Sequence, residues 1–552
     1  MTIDMKKINL FYTIVFGALA LTSCDDFLDK MPDNRATIDT EDKVTKILVS
    51  AYATHNSNLI LEMASDNARD NGSTYSFSEQ TQQEAYLWQP ISGTDNDSSK
   101  SLWDACYGAA AAANQALTAI DEMGNPANLQ AQRGEALLCR AWAHFQLANV
   151  FCLAYNPETA DKDLGLPYAI APETEVSPQY ERGTVAELYA HINADIEEAL
   201  PLVNDNIYTV PKYHFNQKAA YAFAARFNLY YQKWDKVIEY ANAALGSNPT
   251  NLLRNWNHLV NELASDYETR CNAYISASEN ANFLLQTAYS SSGYFLGAWN
   301  LGNRYGHEKP NIAQQETYRA SGIWGNWNNS NDLFMSHSNW GPAQTLNISK
   351  YYGYFEFTDK VNGVGYRQTD YVQFCADETL LCRAEAYAVK KDLTSALRDM
   401  NIWLSTNSRN GMQATQHLVD SLYGPYHEAS EQSRAYGMKY MDDKEGKPLP
   451  ATEYTEGAKF YGTPKKHLHP LGFTIDAEGS SQECMLQFIL HMRRCQMMQE
   501  GGRWCDIKRW GIEIAHNRDG QPVDYLMKDD PRRAFQLPND VLDAGLTPNP
   551  RN

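Results

Sequence analysis

The pentapeptide Leu-Leu-Cys-Arg-Ala occurs twice, at residues 137–141 and 380–384, each time inside a segment of helix-favouring residues. A repeated helical unit cannot bury its apolar face alone and must stack on neighbours to build a continuous core. The repeat therefore constrains the chain to stacked helix pairs. The second copy runs on through Tyr387, a Lys390-Lys391-Asp392 break and a further helix over Thr394 to Leu404. Between the copies, "AAYAFAARFNLYYQKWDKVIEYANAALGSNP" (219–249) reads as helix, break at Gln232-Lys233, and second helix ended by Pro249. Trp234, Ala244 and Pro249 fit the tetratricopeptide repeat, although other consensus places do not. Helices are also predicted for the alanine-rich Asp104–Met123 and for Gln130–Tyr155 and Val185–Leu202. The fold class is mainly α, and strand patterns are sparse. Lys350 to Thr358, "KYYGYFEFT", is the best short strand candidate by its Tyr and Phe content.

The segment from about Cys271 to Gly365 breaks the helical pattern. It carries Tyr294, Phe295, Trp299, Tyr305, Trp324, Trp327 and Trp340 among Gly, Asn and Ser. Flat aromatic faces beside amide side chains suit carbohydrates, because the CH face of a sugar packs on a ring while its hydroxyls pair with Asn and Gln. The alternative for each single Trp is that it pins its loop to the helical core. With 43% hydrophobic residues the chain can bury a large core, and a net charge of −20 argues against nucleic acid, which needs clustered Lys and Arg.

The N-terminus has the parts of an export signal: Lys6 and Lys7 precede an apolar run from Asn9 to Thr22. That run is shorter than the roughly 20 residues needed to span a bilayer. Leu21-Thr22-Ser23-Cys24 resembles the bacterial lipobox, which implies that Cys24 is the lipidation site; the alternative is an ordinary signal peptide cut nearby, with Cys24 incidental. Asp25, Asp26 and Asp29 behind it resemble the signal that sends Bacteroidota lipoproteins to the outer face of the outer membrane. Nine further cysteines cannot all pair, and most, such as Cys106, Cys139, Cys382 and Cys495, sit in apolar helix-like contexts where a free thiol acts as a small hydrophobe. No CxxC spacing marks a redox or zinc motif.

Catalytic and metal motifs fail in detail. Gly306-His307-Glu308 continues into Lys309-Pro310, which rules out HExxH. "DNDSS", 95–99, begins like a calcium loop, yet Lys100 stands where its turn needs Gly and Cys106 where a bidentate Glu is needed. Gly363-Val364-Gly365 lacks the third glycine of a dinucleotide fingerprint, and His467 and His469 form a lone HxH in a Lys/Pro-rich loop. Carboxylate pairs are too common in so acidic a chain to argue for or against a glycosidase. No cofactor or metal is expected, and no catalytic residue.

Several stretches together resemble the SusD/RagB family of outer-membrane lipoproteins along nearly the whole chain: "CDDFLDKMP", the Trp103, Tyr107 and Asn114 spacing, "GEALLCRAWAHFQLANVF" (134–151), "GLPY" (165–168) and "DETLLCRAEAY" (377–387). Most specific is "EGGRWCDIKRWG" (500–511), followed by the closing "AFQLPNDVLDAGLTPNPRN". In that motif Arg503, Trp504, Arg509 and Trp510 alternate cation and ring, an arrangement that permits stacking and buried ion pairs with acids such as Glu500 or Asp506. We read it as scaffold rather than as a ligand site.

The resemblance implies a non-enzymatic receptor with a SusD-like α-helical fold of four tetratricopeptide-like helix pairs and a loop-rich insertion. Its parts would be a lipoprotein signal peptide at 1–23, a lipidated tether at 24–40, helical parts at 41–270 and 366–552, and the ligand-binding insertion at 271–365. It implies a SusC-like TonB-dependent transporter as partner, an outward-facing lipid anchor, and a glycan ligand or, as in RagB-like lids, an oligopeptide. Trp88 resembles the place where starch-binding members put a stacking Trp, and Arg69 and Asn71 lie where polar contacts occur. Trp324 and Trp327 fall in the region of the remaining aromatic platform, with Tyr294 and Trp299 as further candidates. A surface-anchored glycoside hydrolase is the third reading.

Overall fold

The computed structural model describes residues 38–75, 77–173, 180–297, 303–325, 332–340, 345, 347–424 and 465–551. Sixteen α-helices are described among them: α1 (Glu41–Leu48), α2 (Asn58–Ala64), α3 (Gln80–Tyr86), α4 (Ser99–Glu122), α5 (Gln130–Phe151), α6 (Val185–Ala199), α7 (Gln217–Tyr230), α8 (Trp234–Leu245), α9 (Tyr267–Tyr274), α10 (Ser292–Phe295), α11 (Ala376–Val389), α12 (Leu393–Asn407), α13 (Gln416–Tyr423), α14 (Ser481–Gln496), α15 (Gly502–Arg509) and α16 (Asn539–Asp543). The mainly α fold expected from the sequence is the fold observed. Helices α4, α5 and α6 pack in series, α7 packs on α8, α8 on α11, and α11 on both α12 and α14. No described helix is long and apolar enough to cross a membrane. All nine described cysteines are buried and unpaired.

The two copies of the pentapeptide do the same work. Arg140 donates to Asp195 on α6 through Nε and Nη2, both at 2.7 Å, and Arg383 donates to Asp399 on α12 at 2.7 and 2.9 Å. Each arginine clamps its helix to a following one by a two-pronged pair, the geometry a planar guanidinium favours. The turns repeat as well. Gln232 and Lys391 sit in the left-handed region (φ 61° and 65°). The N–H after each returns to a helix carbonyl five residues back, Lys233 to Asn228 and Asp392 to Tyr387, both at 2.9 Å. The first copy adds a second tie through the "GLPY" loop. Tyr168 stacks on His144 at 4.0 Å, and its hydroxyl donates to Asp195 at 2.5 Å.

The C-terminal motif joins distant parts of the chain. Arg503 donates to both oxygens of Asp66 at 2.8 and 2.9 Å, Arg509 to Glu385 on α11 at 2.8 Å, and Lys508 to the carbonyls of Asn149 and Cys152 at the end of α5. Asp506 accepts from Arg493 and Arg509. The scaffold reading of this motif holds in its geometry, with one difference. Glu500 pairs with Lys350 and Tyr274, and the acid of Arg503 lies 437 residues upstream. Gly501 opens α15 at φ 75°, where an added Cβ would stand 3.0 Å from Leu61 Cβ. That left-handed turn lets the motif lie against α2.

Nine short strands complete the described structure: β1 (Arg69–Asp70), β2 (Asn282–Tyr289), β3 (Tyr305–Gly306), β4 (Asn339–Trp340), β5 (Asn347–Ile348), β6 (Tyr354–Asp359), β7 (Val364–Cys375), β8 (Ile514–Arg518) and β9 (Gln521–Leu526). The three-stranded sheet is antiparallel with order β2-β7-β6, and β7 runs directly into α11. The sequence anticipated β6 through its Tyr and Phe content. It did not anticipate β2, whose "NFLLQTAY" is buried at most positions and so carries no alternation to read.

Two expectations follow. Arg503→Ala leaves Asp66 buried without its bidentate partner, and unfolding by denaturant is expected to show a loss of about 3–5 kcal/mol. His144 is fully enclosed, with Nδ1 2.8 Å from Arg140 O and Nε2 accepting from Ala169 N–H. Burial pushes it down to about 4 from an ordinary value of 6.5. The unfolded chain takes up this proton below pH 6.5 while the folded chain refuses it until about 4, so its stabilisation is complete above 6.5 and lost across that window. Glu62 and Asp97, each pushed up to about 7 chiefly by burial, work in the opposite direction. The effect is therefore read as a difference: between pH 7 and 4 the wild type should lose about 3 kcal/mol relative to His144→Gln.

Candidate functional site

The β6–β7 hairpin leaves the helical stack and exposes both its faces toward the tip. Its register sets Phe355 opposite Arg367 and Phe357 opposite Gly365, so alternation places Phe355, Phe357 and Arg367 on one face. Phe355 is 40% exposed and Phe357 50%, and their rings meet edge to face at 4.8 Å. A Cβ at Gly365 would overlap the Glu356 carbonyl and stand 2.7 Å from Phe355 Cε1, so only glycine lets this ring lie close against the strand. Exposed aromatic pairs are unusual in a folded chain, because each ring forgoes the stabilisation that burial would bring.

Charge and a third ring adjoin this face. The Arg367 guanidinium lies 4.8 Å above the ring of half-buried Tyr294 on α10 and donates to Glu79 at 3.1 Å. Burial, with the neighbouring charge of Asp95, holds the Glu79 carboxyl above the usual carboxylate range against the pull of Arg367. Gly353 passes against Tyr294 so closely that a Cβ there would stand 2.7 Å from the ring. On the opposite face Tyr366 packs at 5.2 Å on Tyr289, and Gln368 donates to Glu356 at 2.5 Å. Rings beside guanidinium, carboxylate and amide groups can stack on and hydrogen-bond a polyhydroxylated ligand. A separate polar groove of about 480 Å³, lined by Asn251, Asn255, Asn280, Ser405, Thr406 and Arg409 among others, has no exposed ring in its wall.

The structure corrects two of the residues expected to form the platform. Trp88 is 1% exposed and takes a left-handed backbone (φ 50°) at the end of α3. Its indole N–H donates to Ala64 O at 2.8 Å, one side stacks on His516 at 4.2 Å, and Arg532 lies 5.3 Å from the ring. A ring so enclosed offers no face to a sugar. Trp324 is also 1% exposed, donating to Ala320 O at 3.1 Å and packing near His491 at 4.8 Å. It pins its loop to α14, the alternative that the sequence allowed for any single Trp. Phe295 and Tyr305 of the same segment are buried too.

The other candidates divide by position. Arg69 lies within the β1–β3 pairing, opposite Gly306, and Asn71 follows it, donating to the carbonyls of Arg304 and Asn303; both residues stay half-buried. Beside them, Phe77 is exposed and packs on Phe295 at 5.3 Å. Tyr294 lies on the aromatic face. Cys24, Trp299 and Trp327 lie outside the described residues. Sequence reasoning missed Phe355, Phe357 and Arg367. The signal was present in "YFEF", where aromatics alternate with polar residues at strand spacing.

With this geometry in place, the chain can be set beside known proteins. Residues 26–229 match a family model described as SusD-like, "Starch-binding associating with outer membrane". A comparison with curated proteins finds no match. Among solved structures, a SusD superfamily protein from Bacteroides fragilis is similar at 16% identity and TM-score 0.55, over 91% of this chain and 96% of that one. A SusD-like carbohydrate binding protein from Bacteroides vulgatus is similar at 16% identity and TM-score 0.57, with the same two coverages. A SusD superfamily protein from Bacteroides thetaiotaomicron is similar at 15% identity and TM-score 0.55, over 92% and 99%. At such identities the likeness of structure carries the fold.

The enclosed position of Trp88 has a measurable consequence. Trp88→Ala should cost about 3–5 kcal/mol in denaturant unfolding, the range for an aromatic removed from a core, and Trp324→Ala should fall in the same range.

Proposed function

We propose that the chain is a member of the SusD/RagB family and a cell-surface binding protein that captures oligosaccharide or polysaccharide and hands it to a SusC-like TonB-dependent transporter. The observation that carries this reading is the exposed aromatic face of Phe355 and Phe357 beside Arg367 and Tyr294. Such rings supply the stacking surface, and Arg367 and Glu79 supply polar contacts at its edge. Trp299 and Trp327, from the same insertion, are further candidate rings, and Arg69 and Asn71 further polar contacts. Helical parts 41–270 and 366–552 form one scaffold in this reading, with the 271–365 insertion presenting the ligand face. Residues 1–23 act as signal peptide, and Cys24, at the head of the 24–40 tether, carries the lipid that holds the protein on the outer face of the outer membrane. Binding rather than turnover is the activity, in keeping with a family of binding proteins.

Affinity electrophoresis and calorimetry over a panel of glycans and peptides test the proposal. At least one glycan is expected to bind, and the double variant Phe355→Ala, Phe357→Ala should weaken it tenfold or more, about 1.4 kcal/mol, while lowering the melting temperature far less than Trp88→Ala does, because both rings lie outside the core. Binding of peptides alone would move the assignment to an oligopeptide receptor. Release of soluble sugars by the purified protein would instead mark a hydrolase.

A further inference from the structure

One group of acids gains a meaning from the fold that its sequence denied it. "DNDSS" fails as a calcium loop because its sixth and twelfth positions, Lys100 and Cys106, are unsuitable, and both lie on α4. The fold brings Glu79, from the turn before α3, to Asp95 and Asp97. One oxygen from each of the three lies within 4.8 Å of the others. The group is held in place from several sides. Asp97, buried, accepts from Ser290 Oγ at 2.5 Å and from Ser291 N–H at 2.7 Å, and its own N–H donates to Asp95 Oδ1 at 3.0 Å. Glu79 Oε1 accepts from Arg367, whereas Glu79 Oε2 is buried with no hydrogen-bond partner.

A second observation points to an occupant. Thr81 is 0% exposed, and its hydroxyl, Oγ1, also has no partner. A Cβ at Gly93 would collide with Thr81 Oγ1 and stand 3.0 Å from Asp95 Oδ2, so the hydroxyl and the carboxylate both adjoin this glycine and only glycine fits between them. Buried polar oxygens without partners are rare and call for a ligand, an ion or water. Every donor here is oxygen, three of them carboxylate, and Arg367 is the cation paired with the group. All-oxygen anionic sets select hard divalent cations, and the irregular arrangement of these oxygens suits calcium better than the strict octahedron of magnesium.

We propose that Glu79, Asp95 and Asp97, with Thr81 Oγ1, bind one calcium ion. Because Glu79 also holds Arg367, the ion would fix the polar edge of the aromatic face. The site itself does not depend on what that face binds. The test is calorimetric titration of EDTA-stripped, dialysed protein with calcium chloride, together with its melting temperature with and without the ion. One equivalent of calcium should bind, and the melting temperature should rise. Asp95→Asn, at a half-exposed position, should weaken binding at least tenfold while melting like the wild type in EDTA. No heat and no thermal shift up to about 10⁻³ M calcium, the weak end for extracellular modules, would overturn the proposal. So would an Asp95→Asn protein that binds calcium as tightly as the wild type.

Discussion

The pair between Asp66 and Arg503 is the contact on which the tertiary arrangement leans most. Both groups are almost wholly buried, and a buried charge is tolerated only when it is paired and hydrogen-bonded on its remaining sides. Burial alone would raise the Asp66 carboxyl, yet Arg494, Arg503 and Lys466 hold it well below the usual carboxylate range. Arg494 adds a hydrogen bond to the Asp66 carbonyl at 2.8 Å and one to Asn67 at 2.9 Å. The segment after α2 is thereby sewn to α14 and α15, and through Arg493, Asp506, Arg509 and Glu385 to the second helical repeat. Such a network specifies which helix meets which, a service that apolar packing of similar stripes performs poorly.

How much of this was legible in the sequence depends on range. Helix pairs were legible because periodicity, alanine content and turn breaks are local signals, and the repeated Leu-Leu-Cys-Arg-Ala named the two arginines whose clamps proved equivalent. Their partners Asp195 and Asp399 lie 55 and 16 residues on, and nothing in the local pattern singles them out. The acid for Arg503 was beyond reach for the same reason. Buried strand β2 was missed because a strand covered on both faces has no alternation, and its apolar run is equally compatible with a helix.

The candidate face was the least legible part, because whether a ring is a platform or a plug is decided by its neighbours. Trp88 and Trp324 have the residue type a sugar site uses, yet His516 covers one and α14 the other. Phe355 and Phe357 looked like strand formers and turned out to be the exposed rings, since the hairpin that carries them extends past the sheet edge. The acids near it show the converse. Asp95 and Asp97 were visible as a motif and dismissed for lacking the rest of a local loop, while the missing oxygen came from Glu79 in another segment.

These placements share one cause. A stack of helix pairs buries the faces it is made from, so ligand chemistry has to reside on segments that leave the stack, and those segments need a rigid root. Here the root is β7, which ends at Cys375 and enters α11 at once, and α11 is fixed in turn by the Arg226 pair with Glu378 at 2.7 and 2.9 Å and by the Arg383 clamp. The hairpin at the far end of the same strand therefore inherits its position from the second helical repeat. Its outer residues, which pack on little else, can change without disturbing that root. A scaffold dense in buried ion pairs and a candidate face free to vary are thus two ends of one continuous strand and helix.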